Sequence, residues 1–189
     1  MGYPMGIGAL GSTKLIFKRK FRWTLRIDNL CNGGKVDEFY VKLAARPNLS
    51  IEETEINFLN AKTWIPGKAS WETITLTYYD VTGGMLGGNA GLWTWLASVY
   101  NFTDPLKMQM GSIRSDYAGR VTLTLYDGCG QALEQWTMED AWPQAINFGE
   151  LDYSSSEECT IEITLRYSQV RYTALCGSLP ITPCCTPCS

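Results

Sequence analysis

The sequence predicts a mainly β fold: an antiparallel β-sandwich or partly closed barrel with one flanking α-helix. Three observations carry this expectation. Apolar and polar residues alternate in separate stretches near 71–81, 120–127 and 160–167, the period of a half-buried strand. Turn residues such as Asn32-Gly33-Gly34 and Asp127-Gly128-Cys129-Gly130 divide neighbouring stretches, which favours antiparallel pairing. One stretch, holding Leu92, Trp95, Leu96 and Val99, has helical spacing instead.

In chain order, residues 1–13 are rich in Gly, Pro, Met and Ser and have little to bury, so residues 1–15 read as an N-terminal arm. Phe17, Phe21, Trp23, Leu25 and Ile27 then share one parity, with Lys18, Lys20, Arg22, Thr24 and Arg26 on the other. The next strand, Phe39 to Ala44, is expected to form a hairpin with it, Cys31 lying in the loop. Residues 49–70 show no clean period. Ile51, Ile56, Phe58 and Leu59 are apolar islands, and Trp64-Ile65-Pro66-Gly67 reads as a turn.

Trp71 to Val81 alternates best, with Ile74, Leu76 and Tyr78 on one face and Thr73, Thr75, Thr77 and Tyr79 on the other. Glycines at 83–88 break it, and the helix follows to about Asn101, stopped by Asp104-Pro105. Arg120 to Asp127 and Gln131 to Met138 form a second hairpin, with Thr122 and Thr124 on its wetter face. Ala141-Trp142-Pro143 predicts a turn. Thr160 to Tyr167 is a strand with Ile161, Ile163, Leu165 and Tyr167 facing one way. The total is six or seven strands in a β domain over residues 16–175, with a Cys- and Pro-rich arm at 176–189.

Composition narrows the function. There is no histidine, which removes Ser-His-Asp and Cys-His catalysis and histidine-ligated metals. The net charge of -3 is too near neutral for a protein held to nucleic acid by phosphate contacts. No basic segment followed by an apolar run marks a signal peptide, and no apolar run approaches the roughly 20 residues that span a membrane. Glu52-Glu53, Glu139-Asp140 and Glu157-Glu158 are adjacent acids, which point to opposite faces of a strand rather than across one cleft. The glycines at 83–91 lack a Gly-Lys-Ser/Thr ending and read as a loop. Trp64, Trp71, Trp93, Trp95, Trp136 and Trp142 read as core or subunit-interface residues before a sugar-stacking platform. No cofactor and no metal are expected. Cys184, Cys185 and Cys188 form one cluster without a histidine partner, a poor zinc site. The 7 cysteines are an odd number, which suits bonds between chains or free thiols. Cys31, Cys129, Cys159, Cys176, Cys184, Cys185 and Cys188 are the candidates.

A resemblance runs through Phe21–Leu30, Trp136–Ile146 and Leu151 to Tyr172, where a tryptophan strand leads to Trp-Pro, a Leu-Asp corner and a long strand ending in tyrosines. This order, over residues 16–174, resembles the tail tube proteins of contractile-tailed bacteriophages, relatives of type VI secretion and bacteriocin tubes. The resemblance implies hexameric rings stacked into a helical tube. That tube would lie inside a tail sheath, with baseplate, tail terminator and tape measure proteins as partners. It also implies a channel for genomic DNA, a virion location after assembly in the host bacterial cytoplasm, and no catalysis or membrane contact. Thr73, Thr75, Thr77, Thr122 and Thr124 would then line the lumen, and the cysteines would tie subunits together. The competing expectation is a secreted all-β carbohydrate-binding module, a monomer with a cleft.

Overall fold

A computed structural model describes residues 18–28, 30, 36, 38–82, 89–102, 104, 106 and 113–174. Both arms and the 83–88 glycines lie outside these residues, as does Cys31. The described strands are β1 (Trp23–Asp28), β2 (Val41–Ala44), β3 (Leu49–Phe58), β4 (Ala61–Trp71), β5 (Ile74–Tyr79), β6 (Gly119–Tyr126), β7 (Ala132–Asn147), β8 (Thr160–Arg166) and β9 (Gln169–Ala174). Helix α1 spans Ala90–Val99, and a four-residue turn of helix, α2, spans Arg114–Tyr117. The fold is mainly β and antiparallel, as expected, with more strands than the six or seven anticipated.

Seven strands form one hydrogen-bonded sheet in the order β1-β6-β7-β8-β5-β2, with β9 also on β7. The long strand β7 divides this sheet at a corner. Its first part pairs with β6 and β9, and its last part, from Trp142, pairs with β8. Sheet one is therefore β1-β6-β7-β9, and sheet two is β7-β8-β5-β2. The corner is where a turn was expected at Ala141-Trp142-Pro143. The chain stays in strand there, and the bend comes from Asp140 at φ 55° and from a bulge opposite Gly119 and Val121. Pro143 is tolerated because, among the described residues, this part of β7 has a strand neighbour on one side only, so no ladder there needs its missing N–H.

Alternation explains the core. Leu25 and Ile27 of β1, Val121, Leu123 and Leu125 of β6, and Met138 of β7 turn inward from sheet one. Ile74, Leu76 and Tyr78 of β5 and Ile161, Ile163 and Leu165 of β8 meet them from sheet two. Leu92, Trp95 and Leu96 add one stripe of α1 to the same core. Asn89 fixes where the helix begins: its side-chain amide donates to the Tyr79 carbonyl at 2.7 Å. Trp95 Nε1 donates to the Tyr117 carbonyl at 2.8 Å, tying α1 to α2.

Two further expectations are corrected. β1 does not form a hairpin with β2; it pairs with β6, while β2 pairs with β5, and only an isolated bridge from Ile27 to Val36 remains of the expected return. The inward residues of β1 need the apolar row of β6, which local turn signals do not reveal. Trp64-Ile65-Pro66-Gly67 is no turn either. It lies within β4, and the reversal comes at Leu59-Asn60.

Candidate assembly surfaces

Strands β3 and β4 form a separate two-stranded ribbon, paired from Leu49–Trp71 to Phe58–Ala61. At about 3.3 Å per residue it reaches roughly 35 Å. All of β3, and all of β4 except Trp71, is exposed. Yet this ribbon is not polar. In its outer half Thr54, Ile56 and Phe58 share a face with Ala61, Thr63 and Ile65 through the cross-strand register. The opposite face carries Glu53, Glu55, Lys62 and Trp64, with a Lys62–Glu55 ion pair at 2.8 Å. Phe58 is 74% exposed and Leu59, at the tip, 91%. An isolated two-stranded hairpin is marginal in water, and a contiguous exposed apolar face marks an interaction site. Gly67 sits beside the register shift near Pro66, where an added Cβ would come within 3.1 Å of the Glu52 carbonyl oxygen.

The threonine candidates fall on two faces. Thr75 and Thr77 of β5 look outward from sheet two, opposite Thr164 and Glu162 of β8; Thr73, just before β5, is half-buried. Thr122 and Thr124 look outward from sheet one, opposite Thr137 and Gln135. The fold thus brings together each pair but not the two pairs. The rows also differ in charge. Arg26–Thr122–Thr137–Arg171 crosses sheet one with two guanidiniums, whereas Leu43–Thr77–Glu162–Asn147 crosses sheet two with one carboxylate.

Of the cysteine candidates, Cys129 and Cys159 are described, both exposed free thiols, in the β6–β7 turn and just before β8. Cys31, Cys176, Cys184, Cys185 and Cys188 lie outside the described residues. The adjacent acids do not converge: Glu139 pairs with Arg120 at 3.0 Å, Asp140 with Arg114 at 3.1 Å, and Glu52-Glu53 and Glu157-Glu158 are exposed. Among the tryptophans, Trp95 is in the core, Trp23, Trp71, Trp93 and Trp136 pack against it, and Trp64 is exposed on the ribbon. Among the described residues no cluster of three acids or cysteines could hold a metal, and no helix is long and apolar enough to cross a membrane.

One group was not foreseen from the sequence. Glu134, 2% exposed, lies on the inner face of β7. It is ion-paired with Lys18, lies 3.6 Å from Arg46, and accepts the Tyr172 hydroxyl at 3.3 Å. Burial raises its pKa, but the Lys18 hydrogen bond and charge and the Arg46 charge outweigh this, so it stands below the usual glutamate value. The site ties Lys18, ahead of β1, and Arg46, just after β2, to sheet one. An isolated Glu in a strand gives no sequence signal of this.

A sequence profile described as the T4-like virus tail tube protein gp19 family matches residues 39–171. The chain belongs to the T4-like virus tail tube protein gp19 family. It is a structural tail tube protein, in a family that is not a class of enzymes. No curated protein sequence matches it. Solved structures share the tail-tube fold. A chain in the cap that terminates the anti-feeding prophage tube is 17% identical, covering 90% of this chain and 100% of its own, with a TM-score of 0.66. A chain in the sheath/tube terminator of the extracellular contractile injection system PVC is also 17% identical, covering 86% and 100%, with a TM-score of 0.66. The SPP1 tail tube protein is 11% identical, covering 84% and 80%, with a TM-score of 0.55.

Proposed function

We propose that this tail tube protein stacks as hexameric rings into a helical tube that conducts genomic DNA, enclosed by a tail sheath. The tube would be capped by baseplate and terminator proteins and built around a tape measure protein, in the host bacterial cytoplasm. One observation carries the self-assembly: the β3–β4 ribbon holds out an apolar face that nothing among the described residues covers. A neighbouring subunit supplies what the fold does not. The match of the fold to chains of the PVC and anti-feeding prophage assemblies supports the stacked-tube form.

The lumen wall follows from charge. A conduit must release its cargo, and each Lys or Arg contact to phosphate adds salt-dependent affinity. The Thr77–Glu162 row of sheet two carries a carboxylate and no cation, whereas Thr122 lies between Arg26 and Arg171, so Thr75 and Thr77, with Thr73 beside the exposed Arg166, face the channel ahead of the Thr122–Thr124 face. The arms at 1–15 and 176–189 reach adjacent subunits. Cys129 and Cys159 are exposed, which supports cross-links between chains after release into an oxidising medium.

The test is maleimide labelling of Thr77→Cys and Thr124→Cys in assembled tubes with blocked ends, beside non-reducing gels. Protection of position 77 with labelling of 124, and ladders on the gel, are expected. Labelling at 77 with protection at 124 overturns the lumen assignment; monomer bands alone overturn the cross-links.

A further inference from the structure

The sheet order leaves β1 and β2 as the two far edges, and a cleft of about 350 Å3 lies where these edges approach. Its floor is apolar, made by Trp23, Leu123 and Leu125, and its rim is basic: Arg19, Lys20, Lys42 and Arg46. Glu134 behind it takes up Lys18 and part of Arg46. Among the described residues, Arg19, Lys20 and Lys42 have no carboxylate partner; Lys42 lies over the Tyr79 ring at 5.1 Å.

The complementary surface is on the same chain. The connection from β7 to β8, residues 148–159, carries Glu150, Asp152, Glu157 and Glu158 and no Lys or Arg. It also holds out two large apolar side chains, Leu151 at 87% exposure and Tyr153 fully exposed. Part of it is pre-shaped, since Asp152 accepts the Ser154 backbone N–H at 2.9 Å. The loop enters β8 at Thr160, which pairs with Tyr79 at one end of β5. Ala44 pairs with Leu76, and Ala45 donates to Thr75, toward the other end of β5, with Arg46 beyond. The loop is therefore anchored at the Tyr79 end of sheet two, on the side of Lys42, whereas Arg46 lies toward the other end.

We propose that the acidic 148–159 loop of one copy docks in the basic β1–β2 cleft of the next, with Leu151 or Tyr153 on the apolar floor and the carboxylates on Arg19, Lys20 and Lys42. A contact between two different patches is head-to-tail, so it closes a ring or propagates along a filament. It rests on the self-assembly proposed above and names a pair of surfaces that carries it.

Charge reversal tests it, read as the sedimenting fraction of purified full-length protein. The double variant R19E/K20E and the triple variant D152K/E157K/E158K each lower that fraction at least tenfold, and their combination restores it to within twofold of wild type. A second measurement uses the native Cys159. In K20C, mild oxidation gives a disulfide between copies joining positions 20 and 159, identified by mass spectrometry of the peptides. Wild-type-like assembly of either charge variant, no recovery in the combination, or no such peptide overturns the proposal. Loss from the cleft variant alone means an acidic partner from elsewhere and also overturns it. Wild-type protein that never assembles removes the self-assembly reading, and this contact with it.

Discussion

Ser168 donates its backbone N–H to the Glu139 carbonyl at 3.0 Å, and this bond carries the pairing of β7 through the corner of the fold. On one side Glu139 pairs with Gln169; on the other Trp142 pairs with Arg166 in the same register. β7 and the β8–β9 segment are therefore one bent antiparallel ribbon shared by both sheets. Asp140 makes the bend at φ 55°. An L-residue there costs about 1–2 kcal/mol unless it is Gly, Asn or Asp. Asp140→Val should destabilise the protein by about that amount, and Asp140→Gly should recover most of it despite losing the Arg114 ion pair. Denaturant melts of both variants check this; equal losses would refute the backbone account.

Tyr78 is 1% exposed, and its hydroxyl has no hydrogen-bond partner among the described residues. Burial pushes its pKa up, so it stays protonated at any ordinary pH. A buried polar group without a partner costs about 1–3 kcal/mol. Tyr78→Phe should therefore leave thermal stability unchanged or raise it, and a Tm lowered by several degrees would count against this.

Glu134 sets an acid limit. Its folded pKa is lowered, so it contributes stability above the unfolded value, near 4.5, and loses it as pH falls through the folded value. Glu134→Gln should lower Tm by roughly 5 °C at pH 7, by the usual strength of a hydrogen bond to a charged group. The gap to wild type should narrow below about pH 4.5. A gap independent of pH would place the effect in packing instead.

The ribbon should be separable from the core. Ser50 and Ser70 face each other in the ribbon, so residues 51–69 can be replaced by a short glycine turn without moving β2 or β5. This deletion should retain the β-rich circular dichroism spectrum and a cooperative melt while abolishing sedimentable assemblies. Loss of the fold itself would mean the ribbon is part of the core.

These residues also show what the sequence could and could not disclose. β5, β6 and β8 were legible because each buries one face in its own core, so the period of two is written in Ile74-Leu76-Tyr78, Val121-Leu123-Leu125 and Ile161-Ile163-Leu165. Helix α1 was legible for the same reason. The ribbon was not, because its apolar face has no partner among the described residues and Pro66-Gly67 sits at an edge and a bulge rather than a turn. The corner at Asp140 shows in the sequence as a break at Ala141-Trp142-Pro143, which cannot distinguish a bend within a strand from a chain reversal. Local signals point β1 to its sequence neighbour, while its partner β6 lies about 100 residues away, beyond their reach. The Glu134 site joins three distant segments and has no local signature.

The central claim is that the exposed β3–β4 face is covered by another copy of this chain. Cryo-electron microscopy of the purified full-length protein across a concentration series tests it most directly. Rings or tubes in which Ile56, Phe58 and Ile65 are buried against a neighbouring subunit are the predicted result. Single particles at every concentration, or tubes in which that face remains in solvent, would contradict it.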